Sequence, residues 1–417
     1  MNHQPTTAEA HPRAFTWKYA VAYMGSCVAW SAPSQLLLGI QLVHLRPDDK
    51  ENALSLLMMS GGAAMVLTSL VTGWLSDAGG RRWAGSGVVR RFGTRLPWAL
   101  AGALLCAVCL VALAVAPSFW LLLLLWCAFQ VFMAFVTNNL LTVMADVVPR
   151  PRYGAVSGAL GVAYTVGMVA GTAVASLLPV GAAYVLVAVV SVGLVWQFGF
   201  GSSSVGDATL PPPSPPQDAG AVAAEGGPKV SYASYWLVFA SRFVIHLANY
   251  TSLFYLFYYL RDHIGAANPE GGVLILTVTY AAFTVAAAYV AGVWSDKVGR
   301  RKVFVIAAAL GIAGATALMT VAGSMGVVVA AACVLGVAWG VFASVDQAMI
   351  NEALPSETHR DRDVSIMTLT VGISNMLAGG LAAVALNYLG GYPGLYLVCG
   401  GICVVGALLV VPVRTSR

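Results

Sequence analysis

Charged residues are scarce in this chain, and their scarcity excludes a soluble fold. Only 9% of the 417 residues are charged, whereas 59% are hydrophobic and the mean hydropathy is +0.80. A soluble domain carries about 25% charged residues. A chain this apolar needs lipid as its solvent, so the composition predicts an all-α integral membrane protein.

The sequence also lacks the short motifs of membrane enzymes. There is no HExxH, nucleophile elbow or P-loop, and no large polar region able to sense or catalyse. The seven cysteines all lie in apolar segments, and the CxxC of Cys106 and Cys109 has no histidine or acid nearby. We therefore predict no catalytic residue, metal or cofactor. A non-transporting membrane enzyme or receptor stays a remote alternative.

Twelve apolar stretches are long enough to cross a membrane, which takes about 20 residues. Their approximate limits are 17–44, 52–75, 97–116, 118–145, 154–178, 180–200, 233–260, 271–294, 302–323, 325–351, 364–388 and 392–413. Residues 1–16 are polar, and they are followed by a run of full span length, so we do not interpret them as a signal peptide. Residues 201–231 contain Pro211-Pro-Pro-Ser-Pro-Pro216 and predict a flexible linker.

Basic residues set the predicted orientation. With the amino terminus inside, 18 of the 22 Lys and Arg residues lie in cytoplasmic segments, three (Arg46, Lys50 and Arg261) lie outside, and Arg242 lies within a helix. This asymmetry follows the positive-inside rule. We predict a multi-pass protein of the cell membrane with both termini in the cytoplasm. The net charge of +5 follows the bilayer and does not indicate nucleic acid.

One short pattern occurs twice at the ends of apolar segments. It reads Gly73-Trp-Leu-Ser-Asp77 and Gly292-Val-Trp-Ser-Asp296, each followed by a Gly-x-Arg element. Landmarks in separate segments keep one offset of 206 positions: Gly93 and Gly299, Arg95 and Arg301, Asp146 and Glu352, Pro149 and Pro355. The chain is therefore a duplication, with an amino-terminal half at 1–200, a linker at 201–231 and a carboxy-terminal half at 232–417. Duplicated halves are typical of secondary transporters.

These two elements resemble the cytoplasmic loop signature of the major facilitator superfamily. The segments Arg91-Phe-Gly-Thr-Arg-Leu-Pro-Trp98, Asp146-Val-Val-Pro149-x-x-Arg152-x-Gly154 and Val345-Asp346-Gln347-Ala348 resemble its glycoside branch, which includes sugar:proton symporters. The resemblance implies twelve transmembrane helices in two pseudo-symmetric six-helix halves. It also implies that helices 1, 4, 7 and 10 line a central cavity.

The repeated signature has a physical role under this resemblance. A glycine near a helix end permits close approach of another helix, and the acid beyond it faces a positive helix terminus or a nearby arginine. We predict a conformational latch that closes the cytoplasmic side and breaks when the protein opens inward. The alternative is a plain topology signal. The predicted latch residues are Gly73, Asp77, Arg91, Gly93, Arg95, Gly292, Asp296, Gly299, Arg300 and Arg301.

Two charges lie at membrane depth. Arg242 is about ten residues into the seventh segment, or roughly 15 Å, and Asp346 precedes Pro355 by nine residues, or about 13 Å. Each alone costs about 3 kcal/mol or more at that depth. We therefore predict that the two form an ion pair or face one water-filled cavity. The acid belongs to one half only, since 346 maps onto Leu140. A purely structural pair is the alternative.

Further candidates share faces with these charges. Arg242, His246, Asn249 and Tyr250 recur at helical spacing and form one polar stripe. His246 is a candidate proton relay or a packing residue, and Asp346 is the better proton carrier because protonation would loosen an Arg242 pair. The remaining binding candidates are Gln130 and Asn138 in the fourth segment, Trp30 in the first and Trp339 in the tenth.

The combined pattern predicts a secondary active carrier of a small organic solute, working by alternating access. Aromatic, amide and hydroxyl groups suit a sugar or glycoside, and proton-coupled uptake is the first choice by branch resemblance. Efflux of a metabolite or drug-like natural product is the alternative, although the fifth segment has Gly161, Gly167 and Gly171 without the proline of an antiporter element. The predicted partners are the solute, protons and the lipid bilayer, without nucleic acid, and the predicted state is a monomer.

Overall fold

The computed structural model describes residues 13–82, 95–148, 153–201, 232–298, 300–353 and 360–413. Long helices dominate these ranges, because a backbone in hydrocarbon must satisfy its polar groups internally. In chain order the elements are α1 (Arg13–Ala32), a π-helical turn (Pro33–Leu37), α2 (Leu38–Leu45), α3 (Lys50–Arg82), α4 (Leu96–Ala114), α5 (Phe119–Val147), α6 (Tyr153–Leu177), α7 (Val180–Gly201), α8 (Tyr232–Phe254), α9 (Leu256–Tyr258), a second π-helical turn (Tyr259–His263), α10 (Pro269–Val298), α11 (Arg301–Thr320), α12 (Met325–Ala353), α13 (Arg360–Tyr388) and α14 (Gly391–Val410).

Among the described residues, eleven helical stretches are long and apolar enough to cross a membrane. They correspond to every predicted segment except the seventh. In that segment α8 carries Arg242, His246 and Asn249, which lower its apolar character. Its 23 residues still reach about 35 Å at 1.5 Å per residue, which exceeds the bilayer core of about 30 Å. The all-α fold with twelve long helices is therefore as predicted.

Contacts divide the chain into two compact units. Unit 1 comprises Met1–Pro33 and Leu67–Ala219, and unit 2 comprises Ser34–Val66 and Gly220–Arg417. These units differ from the predicted halves at residues 34–66, which pack with the carboxy-terminal helices. The boundary in the first segment coincides with the π-helical turn Pro33–Leu37. This turn begins at a proline, which cannot donate a backbone hydrogen bond to the preceding turn.

The two units use the same packing pattern. In unit 1, α1 contacts α6 and α7, while α4 contacts α5 and α7. In unit 2, α8 contacts α13 and α14, while α11 contacts α12 and α14. These helix pairs are equivalent when the first six segments are matched in order to the last six. The duplication read from loop motifs is thus repeated in the helix packing.

Small residues permit the closest helix contacts of unit 2. A Cβ added at Gly340 on α12 would lie 2.3 Å from the Thr284 carbonyl oxygen of α10, and one at Gly336 would lie 2.6 Å from the Tyr280 carbonyl oxygen. Neither position accepts a side chain without movement of the neighbouring backbone. Packing of this kind replaces the hydrophobic effect, which does not hold helices together in lipid.

We expect Gly340→Ala to destabilise the protein by about 1–3 kcal/mol, because the added methyl overpacks against the α10 backbone. Gly314→Ala on α11 is the matched control, since a Cβ there meets nothing within 4 Å. Alanine favours a helix over glycine by about 1 kcal/mol, so the control should be neutral or stabilising. Thermal unfolding of the purified protein in detergent measures both. Equal melting temperatures for the two variants would contradict the packing argument.

A polar cluster joins α2 and the start of α3 to the end of the seventh segment and to the twelfth segment within unit 2. Lys50 Nζ lies 2.8 Å from Asp262 Oδ2, and the Tyr392 hydroxyl donates to Glu51 Oε1 at 3.0 Å. The Tyr258 hydroxyl donates to the Gly39 carbonyl at 3.1 Å. Ser55 and Tyr255 hydrogen-bond through their hydroxyl groups nearby. These contacts hold residues 34–66 against α9, the second π-helical turn and α14, and we call the first three residue pairs the end cluster.

Candidate functional site

An ion pair lies inside unit 2. Arg242 Nη1 of α8 donates a hydrogen bond to Asp346 Oδ2 of α12, and the side chains are only 10% and 15% exposed. The structure thus brings together the two charged residues that the sequence predicts to lie at the same depth in the membrane. A charge-assisted bond of this kind is among the stronger hydrogen bonds in proteins. Removal of one partner leaves the other charged and poorly solvated.

A hydroxyl group from α13 completes the surroundings of the arginine. Arg242 Nε donates to Thr370 Oγ1 at 2.9 Å, and Thr370 in turn donates to the Met367 carbonyl at 2.6 Å. The guanidinium is therefore held from two helices at once. Thr370 was not among the residues singled out in the sequence, because a threonine in an apolar segment is common and often bonds only its own helix.

The polar stripe of α8 continues from this pair into an aromatic cluster. His246 Nδ1 donates to the Arg242 carbonyl at 2.9 Å, so its ring is fixed by its own helix. The ring centroid lies 5.3 Å from that of Trp339 and 5.4 Å from that of Phe342, both on α12 and both at steep angles. The ring of Tyr250, also on α8, has its centroid 6.3 Å from that of His246. His246 is 6% exposed, as expected for an imidazole enclosed by rings.

Asn249 is the most deeply buried member of the stripe, at 3% exposure. The Asn249 Oδ1 atom has no hydrogen-bond partner among the described residues. A buried acceptor without a partner costs about 1–3 kcal/mol. Such a group calls for a water molecule or a ligand as its partner.

The candidates of the fourth and first segments lie in unit 1. Gln130 on α5 is buried, and its Oε1 has no partner among the described residues; the same holds for Nδ2 of the half-buried Asn138. Trp30 on α1 is half-buried and has a partner of its own. Unit 1 therefore presents amide groups with free hydrogen-bonding capacity on α5.

The pairing of Arg242 and Asp346 can be tested by comparing the stability of a single variant with that of a double variant. We expect Asp346→Leu alone to lower stability by about 3 kcal/mol, because Arg242 is left buried without its counter-charge. The double variant Arg242→Met/Asp346→Leu should regain most of that loss, since neither charge remains. Thermal unfolding in detergent measures both variants. A double variant that is less stable than the single one would show that the two residues do not act as a pair.

The predicted latch is only partly within the described residues. Arg91, Gly93 and Gly299 lie outside them, as do the side chains of Asp77 and Asp296 and the surroundings of Gly73. Arg95 precedes α4, and Arg300 and Arg301 stand at the start of α11, with Arg300 exposed. The latch itself therefore stays a prediction.

One part of the latch argument needs correction. Gly292 was expected to permit close approach of another helix. A Cβ at Gly292 would meet only Ser344 Cβ, at 3.9 Å, which is an ordinary van der Waals contact. The tight glycines of the α10–α12 contact are instead Gly336 and Gly340 on α12. The motif glycine therefore does not set the distance between these two helices.

The chain matches the family described as Major Facilitator Superfamily over residues 19–243 and 238–417. Since the match covers nearly the whole length, the chain belongs to this superfamily of transporters. It is accordingly a multi-pass membrane transporter and not an enzyme. No curated protein was found to match it. The match does not reach the finer level of a sugar:proton symporter branch.

Solved structures agree on the fold. The chain is similar to a POT family transporter in complex with a thioalcohol-conjugated peptide, with 13% identity, a TM-score of 0.73 and coverage of 96% of both chains. It is also similar to a POT family transporter in complex with 5-aminolevulinic acid (13% identity, TM-score 0.72, 96% of both chains). A third similar structure is the peptide transporter POT in complex with sulfate, with 13% identity, a TM-score of 0.71 and coverage of 95% of this chain and 93% of that chain. Identity this low supports the shared fold alone.

Proposed function

We propose that the protein is a proton-coupled carrier of a small organic solute in the cell membrane, working by alternating access. The observation that carries this proposal is the buried pair of Arg242 and Asp346 in a major facilitator chain. Ionisable residues inside a membrane protein are expensive and mark ion or substrate pathways. A carboxylate paired with an arginine changes its interaction with α8 whenever it gains or loses a proton.

The aromatic cluster around His246 supports a solute with a ring or other apolar surface. Trp339, Phe342 and Tyr250 supply ring faces and edges, while Asn249 supplies an amide oxygen that needs a donor. Aromatic surface with a few polar groups is the usual composition of a small-molecule site, and a sugar offers both an apolar ring face and hydroxyl groups for hydrogen bonds. A sugar or glycoside is therefore the first class of solute that we propose.

The membrane orientation of the chain and the cytoplasmic latch are part of the same proposal. We place both termini in the cytoplasm, because basic residues concentrate in the segments that this orientation puts inside. In this orientation the end cluster lies at the outer face and Arg95, Arg300 and Arg301 lie at the inner face. The end cluster and the signature arginines then lie on opposite sides of the membrane.

Uptake into proteoliposomes of the purified protein tests the function. A panel of sucrose, maltose, dialanine and 5-aminolevulinic acid, each with and without an inward proton gradient, separates the solute classes. Gradient-stimulated uptake of a sugar supports the proposal, and uptake of only the dipeptide or the amino acid overturns the solute class. Gradient-stimulated expulsion of the solutes would make the protein an efflux carrier. Transport of a panel member at the same rate with and without the proton gradient would overturn the proton coupling.

A further inference from the structure

The contacts of Thr370 go beyond those of a packing residue. Its hydrogen is donated to the Met367 carbonyl, so its remaining lone pairs face Arg242 Nε. The residue is fully buried, and the helix that carries it packs against α8. The direction of the guanidinium is thereby fixed by α13, while its charge is neutralised by Asp346 on α12.

The face of α13 that carries Thr370 also contacts α8 over the next two turns. The Ser374 hydroxyl donates to the Phe243 carbonyl at 2.8 Å. The Thr251 hydroxyl of α8 donates to the Leu247 carbonyl of its own helix at 2.7 Å and lies 3.4 Å from the Ala378 carbonyl oxygen of α13. Positions 370, 374 and 378 are spaced by four residues and share one helix face. The Ser374 bond and the Arg242–Thr370 bond therefore tie α13 to α8 on successive turns.

The opposite face of α13 holds the first part of α3. A Cβ at Gly62 of α3 would lie 2.6 Å from Met376 Cα, and a Cβ at Gly379 would lie 2.6 Å from the Ser55 carbonyl oxygen. Farther along, Asn387 Nδ2 donates to Asn52 Oδ1 at 2.6 Å. Backbone contact this close transmits displacement, because packed helices do not deform continuously. The same helix therefore contacts Arg242 on one face and residues 52–62 on the other.

We propose that Thr370 is a positioning residue for Arg242, and that α13 carries the state of the ion pair to the packing of residues 50–66. With Asp346 ionised, Arg242 is bound to α12 and α13 together. Protonation of Asp346 removes the attraction of α12 and leaves Arg242 on Thr370, so α8 and α13 separate from α12 as one body. Among the described side chains of these helices, the other titratable groups near Arg242 are His246 and Tyr250, both on α8.

This inference rests on the proposed proton coupling, and a reporter that needs no solute tests it. Ser55→Cys places a thiol where α3 meets α13 and Tyr255, buried while that contact persists. Its labelling by a membrane-impermeant maleimide on intact cells reports opening at that end; the protein with its own seven cysteines gives the background. We compare the Ser55→Cys parent with the added variants Thr370→Val and Thr370→Ser, in acidic and alkaline buffer.

We expect faster labelling of the parent in acidic buffer, and loss of most of that pH response in Thr370→Val. Valine removes a bond to a charged group, which is worth about a tenfold change in equilibrium or more. Thr370→Ser should restore the pH response, which a purely structural role would not require. An unchanged response in Thr370→Val overturns this inference alone. A parent without any response overturns the proton coupling and this inference with it.

Discussion

Replacement of Asp346 by asparagine is expected to abolish solute accumulation against a gradient while exchange of solute across the membrane continues. Asparagine keeps the size of the side chain and an acceptor for Arg242, but it has no proton to gain or lose. The carrier can then still alternate with solute bound, whereas a proton gradient no longer drives it. In proteoliposomes, we expect gradient-driven uptake to fall to background and counterflow to stay within about twofold of the unchanged protein.

Two controls make this result specific to the carboxyl group. Asp346→Glu retains a titratable group and should keep part of the uphill transport. Asp262→Asn alters a carboxylate of the end cluster, which contacts Lys50 and is far from Arg242 in sequence and in its contacts. This variant should remain driven by the proton gradient. Full uphill activity in Asp346→Asn would refute proton coupling through this residue.

The second large effect is expected at Gly62. Its Cβ would lie 2.6 Å from the Cα of Met376, so Gly62→Ala forces α3 and α13 apart at a close backbone contact. Overpacking of this kind typically costs about 1–3 kcal/mol, and each 1.4 kcal/mol is about tenfold in a conformational equilibrium. We expect maleimide labelling of Ser55→Cys to rise about tenfold or more in the Gly62→Ala background, and solute turnover to fall.

Gly401→Ala on α14 provides the matched control, because a Cβ there has no neighbour within 4 Å. The same substitution in a helix of the same unit should leave both labelling and transport unchanged. Labelling in Gly62→Ala at the level of the control would show that the α3–α13 contact does not govern access to Ser55. This effect can be distinguished from that of Thr370→Val. Gly62→Ala should raise labelling in acidic and alkaline buffer alike, whereas Thr370→Val should remove the difference between the two buffers.

Several features were predictable from the sequence because each depends on one local property. The low proportion of charged residues predicted the membrane, the length of apolar runs predicted the helices, and the offset of 206 positions predicted the duplication. The pairing of Arg242 and Asp346 was predictable from their depth in the membrane alone. Two lone charges at one level of a bilayer have few alternatives to pairing.

Other features arise only when distant segments pack. Thr370 gained a role because α13 lies against α8, and neither its spacing nor its neighbours in the chain signal a bond to Arg242. The expectation for Gly292 was wrong for a similar reason, since the crossing point of α10 and α12 lies at Gly336 and Gly340. A helical glycine permits close approach only where another helix crosses.

The sequence by itself determined that this protein is a duplicated helical membrane protein with two opposite charges at one depth, because composition, periodicity and depth act residue by residue. The tertiary structure decided which helix orients the arginine and where residues 34–66 pack. Those outcomes depend on crossing points and side-chain directions between segments that are more than a hundred positions apart. No local pattern specifies them.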